Sequence, residues 1–447
     1  MNKQSYIIAF CFIFMYAPTQ AQQEQTMHFL NNIWQANLTN PALLPSDYKV
    51  NVAVSSFYAN YNAPIVFNDL VVKKGEKKIF TPLNTGYLDK LDPYNYVESN
   101  FQWQTAAISF PISKHVFISL HHAIYGNQYA EFDKNALSFL FNGNGGFIGK
   151  TMTLNNRIDA SIYNEFAAGV IYKINNVSVG FRLKGLNGIV GAFSDGNKLK
   201  LKTDNAIYAL QTDNDYQLQT FDPSVSTLQK LNRNGGYVAD IGVVVKLQRL
   251  QMALSVINMG YGIHWKHGGT TYSSKGTNDF SGFDTYNVGT STYQDLTKSI
   301  KESLNFEVKE QGEHQQKLPL QVYLSGIYTV NPKIEVGGLF YTEQSSIETK
   351  YGLTINATTK LIKGLNVGLS YNLRNSNQNS VGIHATAHLF KTIQLYFVTD
   401  NLRILTNPYD SRSVNGRMGL NLTFGEVKHY TGKIKKINSR EERHFRL

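Results

Sequence analysis

The stretch from Leu365 to Gly425 restricts the fold more than any other part of the chain. Leu365, Val367, Leu369, Tyr371 and Leu373 fall on one side of a period-two pattern, and Asn366, Gly368, Ser370, Asn372 and Arg374 on the other. A period of two marks a strand with two different environments, not a helix. Ser380–Lys391 repeats the pattern, with Val381, Ile383, Ala385, Ala387 and Leu389 set against Gly382, His384, Thr386 and His388. Ile393–Thr399 and Val414–Phe424 complete a set of four. The link Phe390-Lys391-Thr392 is tight, whereas the links on either side, Asn375–Asn379 and the stretch from Asp400, are longer and polar.

The same rhythm runs back through the chain. Strands are predicted at Lys49–Phe57, Phe101–Ile112, His115–Tyr125, Ile162–Ile174 and Val177–Leu186. Others are predicted at Gly236–Leu247, Leu250–Met259, Leu318–Val330, Ile334–Glu343 and Tyr351–Ile362. Links at 113–114, 175–176, 248–249, 331–333, 363–364 and 391–392 are short, and those between them are long, so the link lengths alternate. Asn175-Asn176 is a two-residue hairpin signal. Short turns at one end, long loops at the other and an even strand count are the pattern of an outer-membrane barrel with periplasmic turns and extracellular loops. The expected fold class is all-β, a transmembrane antiparallel β-barrel of about 14 strands. If a hairpin from Leu199–Leu210 and Tyr216–Phe221 enters the wall, the count becomes about 16. The 447 residues show no linker that would divide them, and 13% of them are aromatic, which favours strands. A mean hydropathy of −0.27 excludes a helical membrane bundle but not a barrel, where only alternate residues are apolar.

The ends read differently. Lys3, the apolar run Ile7–Tyr16 and Thr19-Gln20-Ala21 have the form of a signal peptide over residues 1–21. The one cysteine, Cys11, lies inside it, so the mature chain would hold no disulfide and no cysteine-ligated metal. Residues 22–48 form either a turn leading into the first strand or a short plug folded back into the lumen. The barrel then occupies 49–425, and 426–447 is a basic tail. By parity that tail is periplasmic, where it would meet inner-leaflet headgroups, peptidoglycan or a periplasmic protein. A net charge of +11 on an exported chain points to acidic lipid or cell-wall partners and not to nucleic acid. Lys114, Lys173, Arg249, Lys333, Lys363 and Lys391 sit at or beside the short turns and would form a cationic ring.

On the wetted face fall Arg182, Lys184, Arg374, His384 and His388, along with Asp240, Lys246 and Glu335. Opposite charges on one sheet face suit a polar lumen better than a dry core. Trp103, Tyr125, Tyr172, Tyr261, Tyr328 and Phe340, near strand ends, would form the aromatic belts. His384 and His388 lie about 13 Å apart along one strand, too far to share a metal. Ser370 and His384 on adjacent strands are the one pair that could suggest a hydrolase, but no nucleophile elbow accompanies them. Asp400-Asn401-Leu402-Arg403 ends a strand, with an Asp–Arg latch as its sharper reading. No cofactor fingerprint is present, and no enzymatic activity is expected.

Three motifs carry a family resemblance. They are Asn37-Leu38-Thr39-Asn40-Pro41-Ala42, Ser255-Val256-Ile257-Asn258-Met259-Gly260 and Leu395-Tyr396-Phe397-Val398-Thr399-Asp400-Asn401-Leu402. Asn40, Pro41, Asn258, Gly260, Asp400 and Asn401 are their distinctive residues. The chain resembles an uncharacterised family of outer-membrane barrels of the Bacteroidota. It is similar in layout to the PorP/SprF-like barrels of type IX secretion and, more distantly, to FadL-like barrels. The resemblance implies an outer-membrane location and no enzymatic activity. The function expected first is an accessory or docking component of protein export or surface assembly, meeting secretion-machinery proteins through the basic tail. A FadL-like relative would instead imply passive passage of hydrophobic or small solutes past an N-terminal plug. A secreted lipid hydrolase is the third reading.

Overall fold

The computed structural model describes residues 25–45, 48–74, 77–80, 85–142, 145–205, 210–222, 234–280, 307–374, 379–390 and 392–426. The expected leader, the tail from residue 427 and Lys391 lie outside them. Among the described residues, fourteen strands that pair in chain order form the wall. They are β1 (Tyr48–Asn62), β2 (Tyr94–Pro111), β3 (Val116–Asp133), β4 (Thr151–Ile174), β5 (Val177–Thr203), β6 (Gly235–Leu247) and β7 (Leu250–Trp265), followed by β8 (Leu320–Asn331), β9 (Ile334–Gln344), β10 (Thr349–Ile362), β11 (Leu365–Arg374), β12 (Ser380–Leu389), β13 (Ile393–Thr399) and β14 (Ser413–Glu426). Each pairs antiparallel with its neighbours in chain order. Val50↔Phe424 through Asn62↔Ser413 join β1 to β14 and close the ring.

Closure removes the sheet edges that would otherwise leave backbone donors and acceptors unpaired. The tight turns fall where the sequence places them. Asn175 adopts φ 49° at the Asn175-Asn176 hairpin, and Gly364 takes φ 87° beside Lys363. Strands β4 and β5 run 24 and 27 residues, well past the expected starts and ends. Their excess lies toward the long loops, where alternation continues as Thr151–Asn156 pairs with Asn197–Lys202. The expected hairpin at 199–221 also forms there. Leu210–Phe221 pairs with the outer part of β5, while β6 takes the inner part. Gly269–Phe280 follows β7 and pairs with Leu210–Phe221. These segments join the same sheet on the long-loop side, where the expected hairpin enters the wall and brings the strand count to about 16.

Burial is inverted relative to a water-soluble protein. On β11, Leu369 and Tyr371 are exposed while Ser370 and Asn372 are buried. Phe166, Phe181, Leu254, Phe340, Leu353 and Met418 are each more than two-fifths exposed on the outer face. Asn51, Gln104, Glu165, Arg182, Thr354, Gln394 and Asn421 are buried on the inner one. Among the described residues, no helix is long and apolar enough to cross a membrane. Trp103, Tyr172, Tyr261, Tyr328 and Phe340 face outward as expected. Tyr125 does not. Its parity is that of His121 and Ala123, both buried, and it turns into the lumen, where its hydroxyl donates to Glu165 at 3.3 Å. A strand-end position gave its height on the wall but not its face.

Replacing Leu369 by Arg puts a charge on the apolar face. It should destabilise the bilayer-inserted protein by about 2–4 kcal/mol, as read by urea titration of refolding into vesicles. Ser370→Thr, one residue away on the inner face, should change the midpoint far less.

Candidate functional site

The lumen is filled by the chain's own N-terminal segment. Residues 25–44 enter it as two short turns of helix, Thr26–Phe29 and Ala36–Thr39, with nearly every side chain buried. Such short pieces have no helical stability of their own. What holds them is a set of bonds to the wall.

At the start of the segment, the backbone N–H groups of Gln25 and Thr26 donate to the two carboxylate oxygens of Asp400 at 2.9 and 3.0 Å. Asp400 also pairs with Arg374 at 3.2 Å. Arg403, the partner the sequence suggested, lies instead in a short exposed helix, Arg403–Thr406. Asn401 caps that corner by donating to Ser411 Oγ at 3.0 Å and accepting from the Arg403 N–H at 3.1 Å. The Thr26 and Ser370 hydroxyls meet at 2.7 Å, and Thr354 donates to Gln25 Oε1 at 2.7 Å.

At the middle of the segment lies His28. Thr39 Oγ1 spends its one hydrogen on the Ala36 carbonyl at 3.0 Å, so it accepts from His28 Nδ1 at 2.8 Å. The other ring nitrogen is then free to accept from Ser325 Oγ at 2.8 Å. The ring stacks on Tyr323 with centroids 5.5 Å apart. Burial lowers its pKa from the usual 6.5 to about 4, so the imidazole is neutral.

At the end of the segment, a buried charge network on β4–β7 takes over. Arg182 and Asp240 are both fully buried, with Nε donating to Oδ2 at 2.7 Å. The remaining guanidinium donors go to the plug: Nη1 to the Asn37 carbonyl at 2.8 Å and Nη2 to the Leu38 carbonyl at 3.2 Å. Lys184 lies 3.0 Å from Asp240 and 3.7 Å from Glu165, and Glu165 accepts from His121 Nε2 at 2.8 Å. Ser255 Oγ donates to the Thr39 carbonyl at 2.6 Å.

The three sequence motifs meet on this assembly. Asn40 and Pro41 belong to the plug. Asn40 donates to the Leu254 carbonyl at 3.2 Å and accepts from the Ala42 N–H at 2.8 Å. A Cβ at Gly180 would collide with the Pro41 backbone, and one at Gly242 with the Asn40 side chain. Wall glycines therefore make the seat for Asn40-Pro41. Asn258 adopts φ 64° at a bulge of β7 and Gly260 follows at φ 147°. The bulge aims the Asn258 N–H at Asp240 Oδ1, 2.8 Å away, and its side-chain oxygen accepts from Lys184 at 2.9 Å.

The two histidines on β12 do not meet. His384 contacts Thr358 and Asn356, each at 3.2 Å, while His388 contacts Gln394 at 3.1 Å and stacks on Tyr48. Ser370 bonds to the plug, with no contact to His384 among the described residues. Among those residues, no group of three His, Cys, Asp or Glu could hold a metal. Sequence reasoning missed Glu165, His121, Gln25, Thr26 and His28. Period-two parity from Arg182 across the ladder was the available signal for Glu165. For the plug residues, only the proximity to Asn40-Pro41 hinted at a role.

Among the described residues, cavities lie on both sides of the plug. One, of about 220 Å³, faces the long loops above Met27, Leu38 and Thr39. The other, of about 280 Å³, faces the short turns below Phe29–Asn32, beside Lys246, Arg249 and Lys360.

Fold and site together define a closed antiparallel barrel that holds its own N-terminal segment inside. The chain belongs to the family of unknown function DUF5723, which it matches over residues 41–400, from Pro41 to Asp400. No curated protein matches it. Among solved structures it is similar to a Pseudomonas aeruginosa FadL homologue, with 10% identity and a TM-score of 0.44, covering 91% of this chain and 99% of that one. The Ralstonia pickettii toluene transporter TbuX gives 10% identity and a TM-score of 0.42, covering 88% and 94%. The Pseudomonas putida toluene transporter TodX gives 10% identity and 0.41, covering 87% and 91%.

Removing one partner of a buried ion pair leaves an uncompensated charge and costs about 3–5 kcal/mol. Arg182→Ala should therefore release residues 25–44, seen as lost hydrogen-exchange protection there while the wall strands stay protected. The His28 contribution has a defined sign. The freed segment takes up a proton near pH 6.5 and the docked one only near 4, so docking is strongest above about 6.5 and weakens as pH falls through about 4. Exchange protection of the plug should drop across that window in the native protein, and the drop should shrink in His28→Gln.

Proposed function

We propose that this protein is a non-catalytic outer-membrane barrel that binds a small solute above its plug and passes it inward when the plug shifts. The observation that carries this reading is one short segment separating two cavities, with Met27, Leu38 and Thr39 lining one and Phe29–Asn32 the other. An outer face of exposed apolar side chains around a buried polar interior suits a bilayer. The engagement of Ser370 and His384 by other partners supports a non-catalytic lumen.

A specific observation keeps the docking reading as the second. Lys114, Arg249, Lys333 and Lys363 are exposed at the short-turn end, with Lys173 half-buried beside them over the Phe117 ring at 4.3 Å. Such a cationic rim suits acidic headgroups or an acidic partner, including one from a type IX-like export machinery of a Bacteroidota cell. The basic tail would add to it.

Because the Thr26 and Ser370 hydroxyls lie 2.7 Å apart, Thr26→Cys with Ser370→Cys provides a reversible tether between plug and wall. Liposomes holding the oxidised pair should exclude small solutes that enter with the reduced pair. Equal entry in both states, or in neither, would overturn passage through a mobile plug.

A further inference from the structure

We infer that the outer cavity is a site for a neutral, hydroxylated ring solute, a mono- or disaccharide, and not for a hydrocarbon. The inference rests on the solute-binding reading above and names the class of solute.

Three features of the lining decide the class. The first is flat aromatic surface with polar ends. Tyr58, Phe101, Tyr125, Tyr129, Tyr163 and Tyr323 all border the cavity. Tyr125 and Tyr163 stack at 5.2 Å and 8°, and Tyr129 stacks on Tyr96 at 5.4 Å and 21°, so the rings form rigid platforms. Five of the six border rings carry hydroxyls, and a tyrosine supplies an apolar face with a hydrogen-bonding rim.

The second feature is the density of amides. Asn100, Gln102, Asn127, Gln128, Gln316 and Gln321 border the same space. Protein partners take up part of their capacity, as Glu98 does for Asn100 and Ser99 for Gln128, and a hydrocarbon filling the cavity would strip water from the remaining donors and acceptors and return no hydrogen bond. Each stranded group costs about 1–3 kcal/mol, which opposes the gain from apolar contact. A ring with hydroxyls at its edge and C–H groups on its faces meets both demands.

The third is charge. Five carboxylates and four cations border the cavity, and the main ones are already engaged by an opposite charge or by hydrogen-bond donors. Lys350 sits 2.7 Å from Glu98 and 3.2 Å from Glu348. Glu165 is shared by His121 and Lys184, and Glu343 accepts from Tyr341 at 2.7 Å and from Gln321 at 3.1 Å. An acid or an amine would have to break these pairs, so the fitting solute is uncharged. A volume of about 220 Å³ holds one ring or two.

The test is calorimetric titration of the full chain in an amine-oxide detergent, since maltoside detergents would present the ligand class themselves. The probes are glucose, galactose, maltose, toluene and laurate. Saturable binding of at least one sugar is expected, with no saturable binding of toluene or laurate. Tyr129→Ala and Gln128→Leu should each weaken sugar binding by about tenfold, with native melting temperatures marking intact folding. If one variant fails to fold, the other carries the comparison. Toluene or laurate binding more tightly than every sugar, or no sugar binding at all, would overturn the inference. The Thr26/Ser370 cysteine pair separates the two claims. Sugar binding in the reduced and oxidised protein without passage in either would leave the site standing and remove transport. Passage in the reduced state alone, with toluene preferred, would do the reverse.

Discussion

Arg182 is the residue through which wall and plug become one object. It is fully buried, its charge is met by Asp240, and its spare donors end on the carbonyls of Asn37 and Leu38. A guanidinium has five N–H donors and cannot shed its proton, so a buried one requires acceptors on several sides. Asp240 alone cannot supply them. The plug backbone can, because two short helical turns leave carbonyls with no partner of their own. Each side therefore satisfies the other's unmet hydrogen-bonding groups. Lys184, Glu165, His121 and Asn258 extend the network around the lumen, so that charges of both signs are paired where water is scarce.

The wall was largely legible in the sequence, because period two is dictated by strand geometry wherever the two faces meet different surroundings. Leu369 and Ser370 differ in environment as their parity requires. The tight turns at Asn175-Asn176 and Lys363-Gly364 fall where left-handed residues allow them. Strand ends on the long-loop side were not legible. There the Lys-Leu alternation from Lys198 to Lys202 reads as a separate strand of a loop hairpin, and nothing local shows that it is the continuation of the strand that begins at Val177.

The plug was legible as a segment but not as a set of contacts. Asn40-Pro41 reads locally as a turn. Its actual role depends on Gly180 and Gly242, which stand far away in sequence and leave room for it. Asp400 was read as an end-of-strand latch with Arg403. The closed ring instead carries it to Arg374 and to the backbone of Gln25 and Thr26, a pairing that no local pattern encodes. Long-range polar contacts of this kind follow from closure, and closure cannot be seen one strand at a time.

Three tryptophans give the most direct test of a barrel that is apolar outside and filled inside. Trp103 is 47% exposed on the outer face, whereas Trp34 of the plug and Trp265 of the wall's inner face are fully buried. In single-tryptophan variants reconstituted into vesicles, brominated lipid should quench Trp103 strongly and Trp34 hardly at all, and aqueous iodide should quench neither efficiently. Efficient iodide quenching of Trp34, or a Trp103 that brominated lipid leaves untouched, would contradict both the plugged lumen and the lipid-facing wall.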